Sequence, residues 1–372
     1  MRKLSGQVLA LTVAISLALG TVAVVTMNLM KATVVAGSTS MATADDWWPF
    51  AIDAAKGGDL SKVENIDYVP LEKAEKAWNL CVLFPHLQDS YWLSVNYGIA
   101  EEAKRLGVKF TLLQAGGYAN LPKQIAQYDD CLAAGADGIL LGAISEAGLA
   151  AKINEGMAKG VVNIAFVNPV LETPITARIT PDFYAKGFET GEYVKKLLAD
   201  KGGKAVGFPG PQGSGWAETY MSGFRDSTAT GNVTLLAEMF GEASVPAQLR
   251  LVEDALQTHP DMTVIWGGGA AAEAAIGAVV DAGRDDITII ASYENQTMLS
   301  AVQGGKLVAF ATEYPVIIGR IGVDLAVRAL EKKDYERILL VTPGIVDKDN
   351  VAAFDTTQIF APEGFQPVFS AE

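Results

Sequence analysis

Leu80-Cys81-Val82-Leu83-Phe84 is a short, wholly apolar run. After a loop ending at Trp92, residues Leu93–Leu106 place Leu93, Tyr97, Ala100, Ala103 and Leu106 on one helical stripe. Gly107 follows, in the place where a helix stops by turning left-handed. Lys109–Leu113 is then a second β-rich run. A strand apolar on both faces, a one-faced helix and a further strand are the repeating unit of a parallel sheet covered on both sides.

The same alternation continues along the chain. Further β-rich runs are Gly138–Leu141, Asn163–Val167, Lys204–Phe208, Val233–Met239, Val264–Trp266, Thr288–Ser292 and Val308–Thr312. Helices are predicted near Pro122–Ala134, Glu146–Lys159, Tyr184–Ala199, Trp216–Ser227, Pro246–Gln257, Ala270–Ala282 and Val316–Lys332. The fold class is α/β, built from doubly wound parallel sheets. The stretch 168–181 holds three prolines and separates two βα series of similar size. That break favours two lobes over one long sheet, with a hinge and a cleft between them. The segment 45–77, with Trp47-Trp48-Pro49 and mixed charge, reads as an irregular arm.

The chain has 372 residues, 50% of them hydrophobic and 19% charged, which suits two domains with large cores. Arg2 and Lys3 precede a stretch without charge from Leu4 to Met30, the pattern of an export signal. Ala42-Thr43-Ala44 fits a cleavage site. The apolar stretch is also long enough to remain as a membrane anchor. The net charge is −14, and residues 1–44 contribute only positive charge, so the remainder is more acidic still. Such a surface repels phosphate backbones, and nucleic acid is excluded as a partner. Cys81 and Cys131 fit either a disulfide, which an exported chain permits, or two buried thiols.

In open parallel sheets ligands bind beyond the carboxyl ends of the strands. The loops there are rich in rings: Asp89-Ser90-Tyr91-Trp92, Gly116-Gly117-Tyr118, Gly213-Ser214-Gly215-Trp216 and Ser292-Tyr293-Glu294, with Asp182-Phe183-Tyr184 in the crossover. Aromatic faces attract the diffuse positive shell of a methylated nitrogen. Asp89, Glu294 and Glu313 add negative field, and Asp89 also suits a helix cap. The helices opening near Tyr91 and Trp216 are expected to aim free N–H groups into the cleft, where they would receive a negative oxygen. Catalytic equipment is sparse. His86 has no Cys or His at metal-ligand spacing, His259 sits in a turn, and residues 210–215 lack a phosphate-loop spacing. The reading is a binder, not an enzyme, with no cofactor.

The order of elements, and Leu256-Gln257-Thr258-His259-Pro260-Asp261 before a strand and an alanine-rich helix, resemble the ribose-binding type of periplasmic binding protein. That resemblance implies a type I fold with three hinge crossings. Its sugar-reading residues are missing: Gly267-Gly268-Gly269-Ala270 and Ser292-Tyr293-Glu294 stand in their place. A denser match is to the TorT family. It rests on Ala77-Trp78-Asn79-Leu80-Cys81, Asp89-Ser90-Tyr91-Trp92-Leu93-Ser94, Asn96-Tyr97-Gly98, Gln114-Ala115-Gly116-Gly117-Tyr118, the helix around Cys131 and the ending Pro362-Glu363-Gly364-Phe365-Gln366-Pro367-Val368. This resemblance implies a periplasmic protein that binds trimethylamine N-oxide and docks on the periplasmic domain of a TorS-like sensor histidine kinase. The alternative is the binding subunit of an ABC importer. The candidate ligand residues are Asp89, Tyr91, Trp92, Tyr118, Phe183, Trp216, Tyr293, Glu294 and Glu313, of which Tyr91, Trp92 and Tyr118 match the family's motif positions directly. Phe183 stands where Trp is expected and Glu294 where an aromatic is common. The expected parts are a signal peptide 1–44, an arm 45–77, an N-terminal lobe 78–176 plus 296–325, a C-terminal lobe 177–295 plus 326–345, and a tail 346–372.

Overall fold

The computed structural model describes residues 47–372. The predicted export segment 1–44 lies outside the described residues. Within them, the unit read from 80–113 is β3 (Asn79–Phe84), α1 (Ser90–Leu106) and β4 (Lys109–Gln114), preceded by β1 (Phe50–Ala55) and β2 (Val63–Tyr68). The Asp89 carboxylate caps α1 by accepting from Trp92 N at 3.1 Å, and Gly107 ends it in the left-handed region at φ 75°. The first lobe continues with α2 (Leu121–Ala133), β5 (Gly138–Leu141), α3 (Glu146–Ala158), β6 (Val162–Phe166) and β7 (Ala177–Pro181).

The chain then builds α4 (Phe183–Leu198), β8 (Gly203–Phe208), α5 (Trp216–Thr228), β9 (Val233–Glu238), α6 (Val245–Thr258), β10 (Val264–Gly267), α7 (Gly269–Asp281), β11 (Thr288–Ala291), α8 (Gln296–Gln303) and β12 (Ala309–Thr312). It ends with α9 (Pro315–Leu330), β13 (Ile338–Val341), β14 (Gly344–Asp347) and β15 (Ser370–Ala371). One sheet has nine strands in the order β15-β4-β3-β5-β6-β7-β13-β1-β2, and the other has six in the order β14-β12-β11-β10-β8-β9. In each, the inner strands are parallel and the order reverses at the first βα unit, at β3 and at β8. Those reversals are where an open sheet leaves a crevice.

Three connections join the sheets: β7 to α4, β12 to α9, and β13 to β14. The predicted lobe boundaries need correction here. Residues 177–181 form β7 of the first sheet, because Ala177, Arg178 and Ile179 pair in parallel with β6. Residues 296–312 belong to the second lobe, since β12 pairs with β11 there. Only from α9 onward does the chain return to the first lobe, and β13 stays there beside β7. The crossing into the second lobe falls at 341–344, where β14 pairs with β12.

The predicted arm is a hairpin. β1 pairs with β2 and, antiparallel, with β13, so it widens the first sheet. Trp47 and Trp48 lay their rings on the Arg320 guanidinium, 4.9 and 5.4 Å away. Arg320 is itself buried against Glu102 at 2.7 Å. The tail is not free either. Val368 exchanges two hydrogen bonds with the Asn96 side chain, at 2.7 and 2.8 Å, and β15 pairs with β4.

Glycines let the covering helices touch. A Cβ at Gly98 of α1 would overlap Val316 O of α9, and one at Gly319 would lie 2.5 Å from Val95 O. Gly187 of α4 and Gly223 of α5 make the same kind of backbone approach in the second lobe. These pairs fix the helices that present the cleft residues. Cys81 of β3 and Cys131 of α2 are joined by a disulfide, their Cα atoms 5.8 Å apart.

Candidate functional site

The elements bring their ring-bearing ends to one place. The capped start of α1 holds Tyr91 and Trp92. Tyr118 follows β4 after Gly116 and Gly117, both at positive φ. From the second lobe, Phe183 opens α4 behind its Asp182 cap, Trp216 opens α5, and Tyr293 follows β11. Glu313 lies between β12 and α9. With His86, Asp89, Val167, Asn168, Tyr220 and Ala243 they line a cavity between the lobes.

The wall is a continuous set of edge-to-face rings that crosses from lobe to lobe. Tyr91 meets Tyr293 at 5.6 Å between centroids, and Tyr118 meets Trp216 at 5.8 Å. Trp216 also meets Tyr220 at 5.9 Å and Tyr293 at 6.1 Å, while Phe183 meets Tyr220 at 5.2 Å. Room for Tyr293 comes from the two glycines before α7. A Cβ on Gly268 would lie 2.7 Å from Tyr293 Cε1, and one on Gly269 would lie 2.9 Å from Cε2. The absence of sugar-reading side chains on this loop is therefore also a steric requirement of the ring.

The charge is one-sided. No lysine or arginine lines the cavity, whereas Asp89 and Glu313 do. Burial pushes both carboxyls above their usual range. Glu313 accepts the hydroxyl hydrogens of Tyr91 from one lobe and Tyr220 from the other. Lys186, fully buried behind the wall, donates to Thr312 O and stands 3.6 Å from Glu313 Oε1. Burial lowers its pKa against the pull of Glu313 and Glu294. Lys186 thus stands against two buried carboxyls, Glu294 and Glu313, while Asp89 interacts with His86.

Eight of the nine predicted ligand residues line the cavity: Asp89, Tyr91, Trp92, Tyr118, Phe183, Trp216, Tyr293 and Glu313. Glu294 does not. Its carboxylate accepts from Thr312 Oγ1 at 2.8 Å, Glu313 N at 2.9 Å and Tyr314 N at 3.2 Å. It holds the crossing into α9, where Tyr314 takes a left-handed φ of 56°. Some of the helix N–H groups expected to be free are occupied. Asp89 takes Trp92 N at the start of α1. At α5, Glu218 accepts from Gly213 N and Gly215 N, and Ser214 Oγ accepts from Ala217 N. Their own capping side chains satisfy them first.

Sequence reasoning did not assign Tyr220, Asn168 or Lys186, and it set His86 aside. Tyr220 had a signal, since it is four residues after Trp216 on the same helix face. Lys186 had none, because nothing local separates a buried lysine from a solvated one. Among the described residues no group of three His, Cys, Asp or Glu could hold a metal ion.

A model of the periplasmic binding protein domain matches residues 80–334. The chain belongs to the periplasmic binding protein domain family. Among curated relatives of this binding protein, the periplasmic protein TorT of Escherichia coli K12 is 31% identical over 305 residues, 80% of this chain and 86% of that protein. The ribose import binding protein RbsB of Bacillus subtilis is 23% identical, over 68% of this chain and 82% of that protein. Among solved structures, an ABC transporter solute binding protein from Bradyrhizobium sp. BTAi1 with bound Bis-Tris is 41% identical at a TM-score of 0.75, covering 89% of this chain and 100% of that one. A chain of the TorS sensor domain–TorT complex in the presence of TMAO is 26% identical at a TM-score of 0.70, covering 78% and 99%.

Proposed function

We propose that this binding protein is exported, closes around trimethylamine N-oxide or a related methylated amine, and reports the bound state to the periplasmic domain of a TorS-like sensor histidine kinase. The observation that carries the ligand class is the cavity wall: rings from both lobes, two carboxyls and no lysine or arginine. Ring faces and carboxylates both favour a compact cation, and a cation offsets the charge of the Asp89 and Glu313 carboxyls in the wall. A sugar would need bidentate polar partners on most sides, whereas most of this wall is rings and apolar side chains. The family is one of ligand binders, and nothing in the wall pairs a nucleophile with a base.

The sensor role is supported by the likeness to TorT and to its complex with the TorS sensor domain. The second reading is the binding subunit of an ABC importer for an amine. It is favoured by the 41% identity to the Bradyrhizobium transporter protein, whose bound Bis-Tris is a tertiary amine bearing hydroxyls. Calorimetric titration with trimethylamine N-oxide, alone and with the purified ectodomain of a neighbouring kinase, tests both. Sensing requires the ectodomain to change ligand affinity, because coupling between two sites is reciprocal. Identical affinity with and without the ectodomain favours import. No heat with any methylated amine ends the ligand assignment.

A further inference from the structure

Arg178 is a buried guanidinium that makes no ion pair with the described residues. It is 6% exposed, and only Nη1 is used, donating to Val170 O at 3.0 Å and Leu171 O at 3.3 Å. Its Nε is buried without a partner, and its Nη2 donates to no described residue. A guanidinium keeps its charge at ordinary pH, and burying one unpaired is costly. A second arginine stands beside it. Arg178 N donates to Arg337 O at 2.8 Å, where β7 and β13 run side by side. Arg337 also makes no ion pair with the described residues, and donates from Nη2 to Ile175 O at 3.1 Å and from Nε to Thr176 O at 3.4 Å. Burial lowers the pKa of Arg178 and Arg337 adds to that, against the pull of Glu146 and Glu172.

The acids nearby are engaged or exposed. Glu146 accepts from three successive backbone N–H groups, Leu171 at 2.8 Å, Glu172 at 2.7 Å and Thr173 at 2.5 Å. Asp59 accepts from Ser61 and pairs with Lys62 at 2.9 Å, and Glu172 is exposed. Both arginines line a surface pocket with Leu171 and Ile338 of the first lobe and Leu60 of the β1–β2 turn. It lies at the amino ends of β7 and β13, whereas the amine cleft lies beyond the carboxyl ends of the strands. Stapling the 168–176 loop explains Nη1 of Arg178. It leaves Nε and Nη2 unexplained, and those two form the edge of a guanidinium that meets both oxygens of a carboxylate.

We infer that this pocket is a second binding site, for a small monocarboxylate with a short apolar tail. The carboxylate meets the free donors of Arg178 and Arg337, and the tail lies on Leu60, Leu171 and Ile338. Leu60 and Leu171 are otherwise more than half exposed. A second negative charge on the ligand would meet Asp59 and Glu172, which also line the pocket. The site is independent of the amine reading.

Hexanoate is the probe, compared with neutral hexanamide and with the dicarboxylate adipate of the same chain length. In heteronuclear NMR titrations of the mature protein, hexanoate is expected to move the amide signals of 170–178 and 337–338 saturably. Hexanamide and adipate are expected to bind at least about tenfold more weakly. Arg337→Gln, at an exposed position, should weaken hexanoate by about tenfold. Arg178→Lys keeps the charge and loses the two-pronged edge, and should weaken it similarly; if that variant does not fold, Arg337→Gln carries the test. Excess trimethylamine N-oxide should not displace hexanoate, so failure of the amine reading leaves this result unchanged. Absence of a saturable shift overturns the inference and leaves the arginines as loop staples. Equal binding of hexanamide or adipate, or unchanged hexanoate binding in Arg337→Gln, overturns it too.

Discussion

The Tyr91 hydroxyl, on the first helix of one lobe, donates to Glu313, at the end of a strand of the other. Glu313 also accepts from Tyr220, so one carboxylate ties the cleft walls together at the hinge. Lobes of this kind move about their crossings, and a bond that spans them exists only when they are closed.

Tyr91→Phe keeps the ring and deletes that bond. The closed form should lose about 1 kcal/mol, and ligand affinity should fall roughly five- to tenfold. Calorimetry reads the affinity, and small-angle scattering of the unliganded variant should show a larger radius of gyration. A variant as compact and as tight-binding as the parent would show that the bond does not hold the lobes.

Gly268→Ala tests the room made for Tyr293. The glycine has φ −61°, so alanine brings no backbone strain, but its Cβ would come 2.7 Å from the ring. Tyr293 must then shift into the cavity. Binding is expected to weaken by about 1–2 kcal/mol through loss of one ring contact with the cation. The thermal midpoint should fall too, because Tyr293 is buried against Tyr91, Trp216 and Tyr220.

Binding of a permanently charged amine should weaken as pH falls. Burial raises the carboxyls of Asp89 and Glu313, so in the empty protein they take up protons above the usual carboxylate range. A cation in the cavity favours their ionised forms, and binding therefore releases protons. Tetramethylammonium does not titrate, so its affinity isolates the effect. Glu313→Gln should flatten the pH profile. The stability of the empty protein has the opposite sign. These two groups bind protons more tightly folded than unfolded, so what they contribute is fully present below the unfolded pKa and is lost as pH rises through the folded one. Urea titrations at several pH values check this.

The Cys81–Cys131 bond closes a loop with a sequence separation of 50. Loop-closure entropy alone gives such a bond about 4 kcal/mol of stability. Replacing both cysteines with serine should lower the denaturation midpoint accordingly and leave the ligand site in place. Thiol counting on denatured, unreduced protein should find no free thiol, and two free thiols would remove the basis of this prediction.

The repeating units were legible because each announces itself locally. Asp89, Leu93–Leu106 and Gly107 carry a cap, a stripe and a stop within one short stretch, and α1 forms there. The elements overlooked are those held by partners far along the chain. β1 alternates only weakly and exists because β2 and β13 flank it. β7 contains a proline and pairs with strands on both sides of it. The site followed the same division. Rings beside glycine and acidic turns stood out at the strand ends, whereas Tyr220 and Lys186 reach the site from within helices.

By itself the sequence determined two βα series, their helix starts and stops, and the aromatic character of the loops at their carboxyl ends. These follow from period, capping and turn chemistry over a few residues. Only the tertiary structure decided which lobe holds residues 296–312, because strand pairing joins segments that no local pattern links. It likewise turned Glu294 from a ligand candidate into the clamp of a crossing. A carboxylate's role depends on which N–H groups lie within about 3 Å of it, and that distance is set by how the two strand ends meet.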